Sequence, residues 1–394
     1  MKKHYLLVWP THRKDWVAVF YDLKKEFDFT FLPSAFPSES NHAEDFPCKY
    51  WHEFQDADSI LDEIEPDGVI FMSVDSGLSM ILNHVTQLRN IPTFILQHGI
   101  YTNYKDYRTR ERFWNKQEKA AAVAVQKKGE GFSTLNFARN SLKGFDKFKL
   151  LWIAVFTFFQ KNKGEYWAAK YLPLRVKKVD YYLCLSPYNS TIHRETDRIS
   201  DHHIRYIGSS ELIGYLKKEE DLINDSFYLH IDQAMAQNSM GEETLSREEM
   251  ISFYLKLNEF VKSKDARLYI KLHPESYFSD WLPEDDNITY LRKVDNFNAV
   301  IQSANGCFGF YSTLVVPAVY WKPTILFSIF YSGLQEALAK VGEIQILDFR
   351  TFETSDIEFK STSDKEMIKE TFILPKSVNE ESLVDVLRNP EYQL

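Results

Sequence analysis

Leu268-Tyr269-Ile270-Lys271-Leu272-His273-Pro274 is an apolar strand pattern that runs directly into a histidine-proline pair. Further along, Gly309-Phe310-Tyr311-Ser312-Thr313-Leu314 again places polar side chains where an apolar strand pattern ends. Imidazole can donate a hydrogen bond to a phosphate oxygen, and a helix N-terminus offers unpaired N–H groups to an anion. The two segments together predict a nucleotide phosphate site in the C-terminal half. Its candidate residues are Lys271, His273, Pro274, Ser312 and Thr313.

The second segment predicts a short helix over Thr313–Tyr320 with Ser312 as its N-cap. Pro317 then falls in the middle of this helix, where it removes a backbone hydrogen bond, and the sequence offers no account of it.

Composition and length indicate an ordinary globular protein with room for two domains, since the chain has 394 residues of which 44% are hydrophobic. The three cysteines lack metal-ligand spacing and indicate reduced thiols in a cytoplasmic protein. The apolar run after Met1 ends at Pro10 and fits a first β-strand better than a signal peptide.

Strand-like and helix-like segments alternate twice along the chain, which predicts an α/β fold with two Rossmann-like domains. We place the first at 1–207, with a helical insertion at about 104–175, and the second at 208–377. The tail at about 378–394 is expected to form a helix that packs back on the first domain. Ligands of open α/β sheets bind outside the carboxyl ends of the strands, so a site in a cleft between facing domains is expected. Neither half contains a G-x-G-x-x-G or G-x-x-x-x-G-K-[ST] motif, which disfavours nicotinamide oxidoreductases and P-loop kinases.

The insertion differs from the rest of the chain in charge. Lys105–Lys178 contains 18 Lys and Arg against 6 Asp and Glu, a balance of +12, whereas the whole chain carries −9. Within it lies the apolar run Leu150–Phe159, flanked by lysines and too short to span a bilayer, which takes about 20 helical residues. Two interpretations stay open at this point: contact with an anionic membrane surface, or a buried helix with lysines on its wet side.

Polar residues after other predicted strands are candidates for sugar binding and catalysis. Asp232 ends a strand of the second domain and is positioned to act as a base or as a nucleophile on an anomeric carbon. His98 is a candidate general base for an acceptor hydroxyl. The candidate sugar or acceptor contacts are Gln97, Gly99, Asp75, Ser76, His12 and Arg13. We assign no metal ligand and expect no cofactor.

The order of Gln97-His98-Gly99, Leu272-His273-Pro274 and Tyr311-Ser312-Thr313 resembles bacterial capsule and lipopolysaccharide transferases of the GT-B fold. That resemblance implies that the histidine-proline and hydroxyl pairs hold the nucleotide phosphate. Within this group the chain is most similar to retaining β-Kdo transferases, which use CMP-Kdo, and Asp232 would then be the nucleophile. Where related transferases often carry a ribose-binding glutamate, this chain has Val315 and Val316.

The sequence thus predicts a metal-independent glycosyltransferase that moves an acidic sugar, Kdo or sialic-acid-like, from a CMP donor to a bacterial surface glycan. A glycan or glycolipid acceptor, no nucleic acid partner, and a peripheral location at the inner face of the cytoplasmic membrane are expected. Two alternatives stay open: CDP-glycerol or CDP-ribitol phosphotransfer of the teichoic-acid type, and a non-catalytic glycan- or nucleotide-binding protein.

Overall fold

The chain folds into two compact units, one formed by Met1–Gly208 with Ser377–Leu394 and the other by Ser209–Lys376. The computed structural model describes residues 2–33, 41–99, 134–236, 245–342, 344–360, 364–378 and 382–391.

The first unit is built on a six-stranded parallel sheet in the order β2-β1-β3-β4-β5-β6. Its strands are β1 Lys3–Val8, β2 Phe27–Phe31, β3 Gly68–Phe71, β4 Thr93–Leu96, β5 Tyr181–Cys184 and β6 Ile204–Tyr206. Strands β3 and β4 are buried along their whole length, as expected for a parallel sheet covered by helices on both faces. The strand order reverses between β1 and β3, so the loops after these two strands diverge at one edge of the sheet.

The second unit has its own six-stranded parallel sheet, in the order β12-β11-β10-β7-β8-β9. Its strands are β7 Phe227–Ile231, β8 Arg267–Lys271, β9 Ile288–Leu291, β10 Cys307–Gly309, β11 Thr324–Ser328 and β12 Gln345–Asp348. Numbered within the unit, this is the 3-2-1-4-5-6 order of the Rossmann fold, with the reversal between β7 and β10. The prediction of two Rossmann-like α/β units is therefore confirmed.

Helices connect the strands of both sheets. In the first unit they are α1 Lys14–Leu23, α2 Ala57–Ile64, α3 Gly77–Leu88, α4 Thr134–Ser141, α5 Phe148–Lys163, α6 Glu165–Tyr171 and α7 Pro187–Thr196. In the second they are α8 Ser210–Ile213, α9 Arg247–Lys262, α10 Phe297–Ser303, α11 Val315–Trp321, α12 Gly333–Val341 and α13 Lys365–Ile368, and α14 Ser382–Arg388 follows in the tail.

The insertion predicted between β4 and β5 is helical where the structure describes it, because α4, α5 and α6 follow one another from Thr134 to Tyr171. Residues 104–133 of the predicted insertion lie outside the described part of the chain.

The tail helix α14 packs on the sheet of the first unit. Val386 and Leu387 are fully buried in the same core cluster as Tyr5 and Phe27. The Tyr5 hydroxyl donates to the backbone carbonyl of Leu387 at 2.5 Å, and burial raises the pKa of that phenol.

The helix after the hydroxyl pair begins at Val315, two residues later than predicted, and Leu314 rather than Ser312 occupies its N-cap position. The predicted capping role of Ser312 is therefore wrong. The same shift explains Pro317, which falls in the first turn of α11, where backbone N–H groups have no partner within the helix.

Candidate functional site

The reversal of strand order in the second sheet brings the two segments that were predicted to bind phosphate to one edge. In the registers of the sheet, Ile231 at the end of β7 is aligned with Gly309 of β10 on one side and Lys271 of β8 on the other. Neighbouring strands lie about 4.8 Å apart, so the histidine-proline segment and the hydroxyl segment leave the sheet about 10 Å from each other. The loop after β7 lies between them.

Asp232, the first residue after β7, anchors the histidine-proline turn. Its Oδ2 accepts from the backbone N–H of His273 at 3.2 Å and from the Ser276 hydroxyl at 2.9 Å. Its Oδ1 accepts from the Tyr254 hydroxyl at 2.8 Å, and the residue is only 4% exposed. Burial and the charge of Asp232 raise the pKa of Tyr254, so this phenol stays a donor. The carboxylate predicted as a nucleophile therefore has both oxygens engaged by protein donors, and its nucleophilic role stays a prediction.

The two ring nitrogens of His273 differ in their hydrogen bonds. Its Nδ1 accepts from the backbone N–H of Glu275 at 3.3 Å, which in the neutral ring leaves the proton on Nε2. Among the described residues Nε2 has no hydrogen-bond partner, so it is available to a ligand. Pro274 opens the 3-10 turn Pro274–Ser276 at a position where no N–H is needed.

Lys271 has a different environment from the one predicted. Its Nζ donates to the carbonyl of Leu272 at 2.9 Å and to the Tyr277 hydroxyl at 3.3 Å, and it lies 5.3 Å from the centre of the Tyr277 ring. These contacts hold the ammonium group against the turn, so its phosphate contact stays a prediction.

The hydroxyl segment is held against the sheet by close packing and by hydrogen bonds to the loop after β7. A Cβ on Gly309 would lie 2.7 Å from Cγ1 of Val315, so glycine is required for α11 to start this close to β10. The backbone N–H of Tyr311 donates to Oε1 of Gln233 at 3.2 Å, which ties the loop to the one after β7. The segment is thereby fixed next to Asp232 and the turn that Asp232 anchors.

The two hydroxyls differ in their partners. The Ser312 hydroxyl accepts from the backbone N–H of Leu314 at 3.4 Å. The Thr313 hydroxyl has no hydrogen-bond partner among the described residues, and Thr313 is partly exposed. Thr313 is therefore the freer of the two to bind an anion.

In the first unit, three predicted residues meet around an aromatic side chain that the sequence interpretation missed. The indole of Trp16 lies 5.0 Å from the ring of His12 and 5.2 Å from the ring of His98, and the Arg13 guanidinium lies 4.7 Å above it. His12, Arg13 and Trp16 follow β1 and His98 follows β4. Trp16 lies one helical turn after Arg13, and this spacing could have indicated their contact from the sequence. Nothing in the sequence relates Trp16 to His98.

Asp75 and Ser76 follow β3, the other strand at this reversal, and both have structural contacts. Asp75 pairs with the buried Lys177 at 2.8 Å. Burial raises the pKa of the Asp75 carboxyl, but the Lys177 charge and the side-chain hydrogen bonds of Asp75 together lower it by more. The net pKa is below its ordinary value, so the carboxyl is ionised. The Ser76 hydroxyl caps α3 by accepting from the backbone N–H of Ser79 at 3.1 Å. Sugar contacts by this pair stay predictions.

Gln97 and Gly99 shape the turn that carries His98. Gln97 is buried, and its Oε1 accepts from the backbone N–H of Leu185 at 3.2 Å, which ties the turn to β5. Gly99 has φ +67°, a left-handed conformation that glycine adopts without strain. Contacts of Gln97 and Gly99 with a sugar or acceptor stay predictions.

An Asp-x-Asp pair that the sequence interpretation left out also has a structural role. Asp56 caps α2, and Asp58 pairs with Arg89 at 2.5 Å and with Lys143 at 2.7 Å. Asp58 is thus engaged by two cations, and Asp56 by the first turn of a helix.

Two Rossmann-like units, each with polar residues at the reversal of its strand order, define the GT-B class of fold. The calicheamicin glycosyltransferase CalG4 is similar, with a TM-score of 0.51 and 13% identity, covering 94% of this chain and 90% of that chain. The UDP-GlcNAc 2-epimerase from Methanocaldococcus jannaschii is similar at a TM-score of 0.51 and 13% identity, covering 98% and 99%. MnaA from S. aureus, solved with UDP, has a TM-score of 0.50 and 10% identity, covering 98% and 96%. At these identities the likeness shows the fold alone.

The profile of the alpha-2,8-polysialyltransferase (POLYST) family matches residues 23–330. The chain therefore belongs to the alpha-2,8-polysialyltransferase family and is a glycosyltransferase of the GT-B fold. No curated protein sequence matches it. In the parts of the chain described above, no helix combines the length and the apolar character needed to cross a membrane.

Proposed function

We propose that this protein transfers an acidic sugar, sialic-acid-like or Kdo, from a CMP donor to a bacterial surface glycan. The observation that carries the proposal is the shared edge of the second sheet, where Asp232 anchors the His273 turn beside the Thr313 segment. Family membership supports a CMP-activated acidic sugar, and the similar fold of an enzyme solved with UDP supports a nucleotide-linked donor.

The chemistry at this edge is stabilisation of a leaving group. When CMP departs, negative charge develops on its phosphate, and donors fixed in advance lower the barrier because they need no reorganisation. His273 offers Nε2–H, and Thr313 offers a hydroxyl without a described partner. The contacts of the turn to Asp232 hold the imidazole in place before the donor arrives.

We propose separate roles for the residues around Trp16 in the first unit, which are His12, Arg13 and His98. His98 is proposed to remove the proton from the acceptor hydroxyl, and Arg13 to contact an anionic group on donor or acceptor. The indole gives a sugar ring an apolar surface next to these polar groups. The reaction is proposed to need no metal and to occur at the cytoplasmic side of the membrane where surface glycans are built.

The stereochemical outcome has two alternatives. Retention would proceed through a covalent adduct on Asp232, and inversion through direct attack by the acceptor. The three donors around the Asp232 carboxylate favour a positioning role and therefore direct attack. Mass spectrometry of protein quenched during turnover distinguishes them, because a sugar adduct on the Asp232 peptide would establish the covalent route.

The test of the donor measures CMP release from CMP-sialic acid, CMP-Kdo and CDP-glycerol, with UDP-GlcNAc as the non-cytidine control. An acidic CMP-sugar is expected to be cleaved at least ten times faster than CDP-glycerol, with activity retained in EDTA. Preference for CDP-glycerol would instead indicate a phosphotransferase. Absence of turnover with every donor, in the presence of oligosialic and Kdo-containing acceptors, would indicate a non-catalytic binding protein.

A further inference from the structure

Helix α5 of the insertion has two apolar faces, and only one of them is buried. Ile153 and Phe156 pack into the core of the first unit. Phe148, Leu151, Trp152 and Phe158 are between 57% and 69% exposed. At about 100° per residue these four side chains fall within an arc of about 120°, on the side of the helix away from the buried pair. We call these four residues the exposed stripe.

The preceding turn extends the exposed stripe. Phe145 in the 3-10 turn Gly144–Lys147 is 90% exposed. Isolated exposed apolar residues are common on proteins, but several large ones on one helix face indicate an interaction site.

Lysines border the exposed stripe on both sides. At the same 100° per residue, Lys147 and Lys161 fall on one side of the exposed stripe and Lys163 falls on the other. All three are exposed, and none has an ion-pair partner among the described residues. The region 134–178 contains 10 Lys and Arg against 2 Asp and Glu, whereas the whole chain carries −9. The patch is thus positive on a negatively charged protein.

We propose that the exposed stripe docks on the surface of a bilayer that contains anionic lipids. The 16 residues of α5 are too few to cross the bilayer, which takes about 20, but an amphipathic helix of this length can lie in the interface. The aromatic and aliphatic side chains enter the headgroup region, and the lysines contact lipid phosphates. A symmetric contact between two copies fits less well, because it would bring the same lysines face to face. This inference goes beyond the proposed function, because docking on the bilayer requires no sugar donor.

Vesicle flotation without donor tests the proposal. The full chain is expected to float with vesicles of phosphatidylcholine and phosphatidylglycerol at 7:3, and at least tenfold less with phosphatidylcholine alone or in 0.5 M NaCl. Leu151→Glu should lower binding at least tenfold. Leu88→Glu is the matched control, because Leu88 lies in the same unit at the end of α3 with 59% exposure against 63% for Leu151. It should bind as the parent protein does.

Two further measurements separate docking from its alternatives. Lys147→Gln with Lys163→Gln should weaken binding to anionic vesicles severalfold, whereas Lys217→Gln with Lys218→Gln in the second unit should not. Circular dichroism checks that each variant is folded. Equal binding of Leu151→Glu and the parent protein would overturn the proposal. A Leu151→Glu variant that turns a dimer into a monomer in light scattering would also overturn it, since the stripe would then be a contact between copies.

Discussion

The backbone N–H of His273 donates to the carboxylate of Asp232 across 3.2 Å, so a turn after one strand is anchored to the end of its neighbour. The Ser276 hydroxyl adds a second bond to the same oxygen at 2.9 Å. A buried carboxylate that accepts three hydrogen bonds is a rigid attachment point, because leaving any of its donors unpaired costs free energy. The direction in which the His273 imidazole points thus depends on a residue that is itself nearly inaccessible.

Asp232→Asn should therefore act on donor affinity and stability together. An amide can accept at one oxygen only, and its NH2 group would face a donor. We expect the free energy of unfolding to fall by about 2 kcal/mol and the KM for the donor to rise severalfold. Ser276→Ala should change both quantities in the same direction by less. Steady-state kinetics and chemical denaturation measure these effects.

A different result would identify Asp232 as the nucleophile. In that case kcat would fall by several orders of magnitude while KM and stability changed little, because the lost interaction is made only in the transition state. Ser276→Ala would then leave kcat nearly unchanged.

Within the nucleotide, His273 and Thr313 should contact the phosphate and not the nucleoside. His273→Ala and Thr313→Val are each expected to weaken CMP binding about tenfold or more, since hydrogen bonds to charged groups contribute about 1.5–3 kcal/mol. Binding of cytidine, which lacks the phosphate, should be unaffected. Isothermal titration calorimetry with both ligands checks this, with the exposed His202→Ala as the control. Equal losses for CMP and cytidine would mean that these residues support the base or the fold instead.

Much of the fold could be predicted because parallel strands are short, apolar and separated by helices. The strands from Lys3–Val8 to Thr324–Ser328 are all present where apolar runs indicated them. Gln345–Asp348 was missed because it is a short edge strand whose residues are only half-buried or exposed. Strand ends also predicted that the histidine-proline and hydroxyl segments would lie at one edge, since the carboxyl ends of parallel strands share it. Phosphate binding by these segments stays a prediction.

The roles of individual side chains were harder to predict because they depend on distant partners. Asp232 was interpreted as a nucleophile because its partner Tyr254 lies 22 residues away on α9. Asp75 was interpreted as a sugar contact because nothing near it in sequence points to Lys177. Trp16 was missed because its edge-to-face contact with His98 joins segments that follow two different strands. The position of a residue at a strand end can be predicted from the sequence, but its role depends on the side chains that pack against it.

His230 should make the stability of the protein depend on pH in a specific window. The side chain is fully buried, with the rings of Phe253, Tyr254 and Phe310 at 5.3, 5.7 and 5.7 Å. Burial lowers its pKa to about 4, and the nearby Asp232 charge offsets this only in part. Between pH 6.5 and about 4 the unfolded chain therefore binds a proton that the folded chain does not. The free energy of unfolding should fall as pH falls through this window, by about 3 kcal/mol in total.

His230→Leu removes this titration, so the free energy of unfolding should depend less on pH between pH 6.5 and 4. Chemical denaturation at several pH values measures it. The exposed His202→Leu is the control and should keep the slope of the parent protein. If His230→Leu kept the slope as well, another group would be responsible.

Substitution of Lys177 should lower the stability of the protein more than substitution at most other positions of the first unit. It is 8% exposed and lies between two carboxylates, 2.8 Å from Asp75 and 3.2 Å from Asp197. Burial raises the pKa of Asp197, but the charges of Lys177 and His193 more than offset this and hold it at about 2. The folded pKa is thus below the unfolded value of about 3.8, so this stabilisation is complete above that pH and is lost as pH falls towards 2.

Lys177→Met leaves both carboxylates buried without their cation, and the expected cost is about 3–5 kcal/mol of unfolding free energy at pH 7. Asp197→Asn in the same chain should restore part of it, because one of the two uncompensated charges is removed. Lys143→Met is the matched control, since Lys143 pairs with Asp58 at the surface with its own side chain 77% exposed, and it should change stability far less because exposed ion pairs contribute little. If Lys177→Met cost no more than Lys143→Met in chemical denaturation, the buried pair would not hold this part of the first unit together.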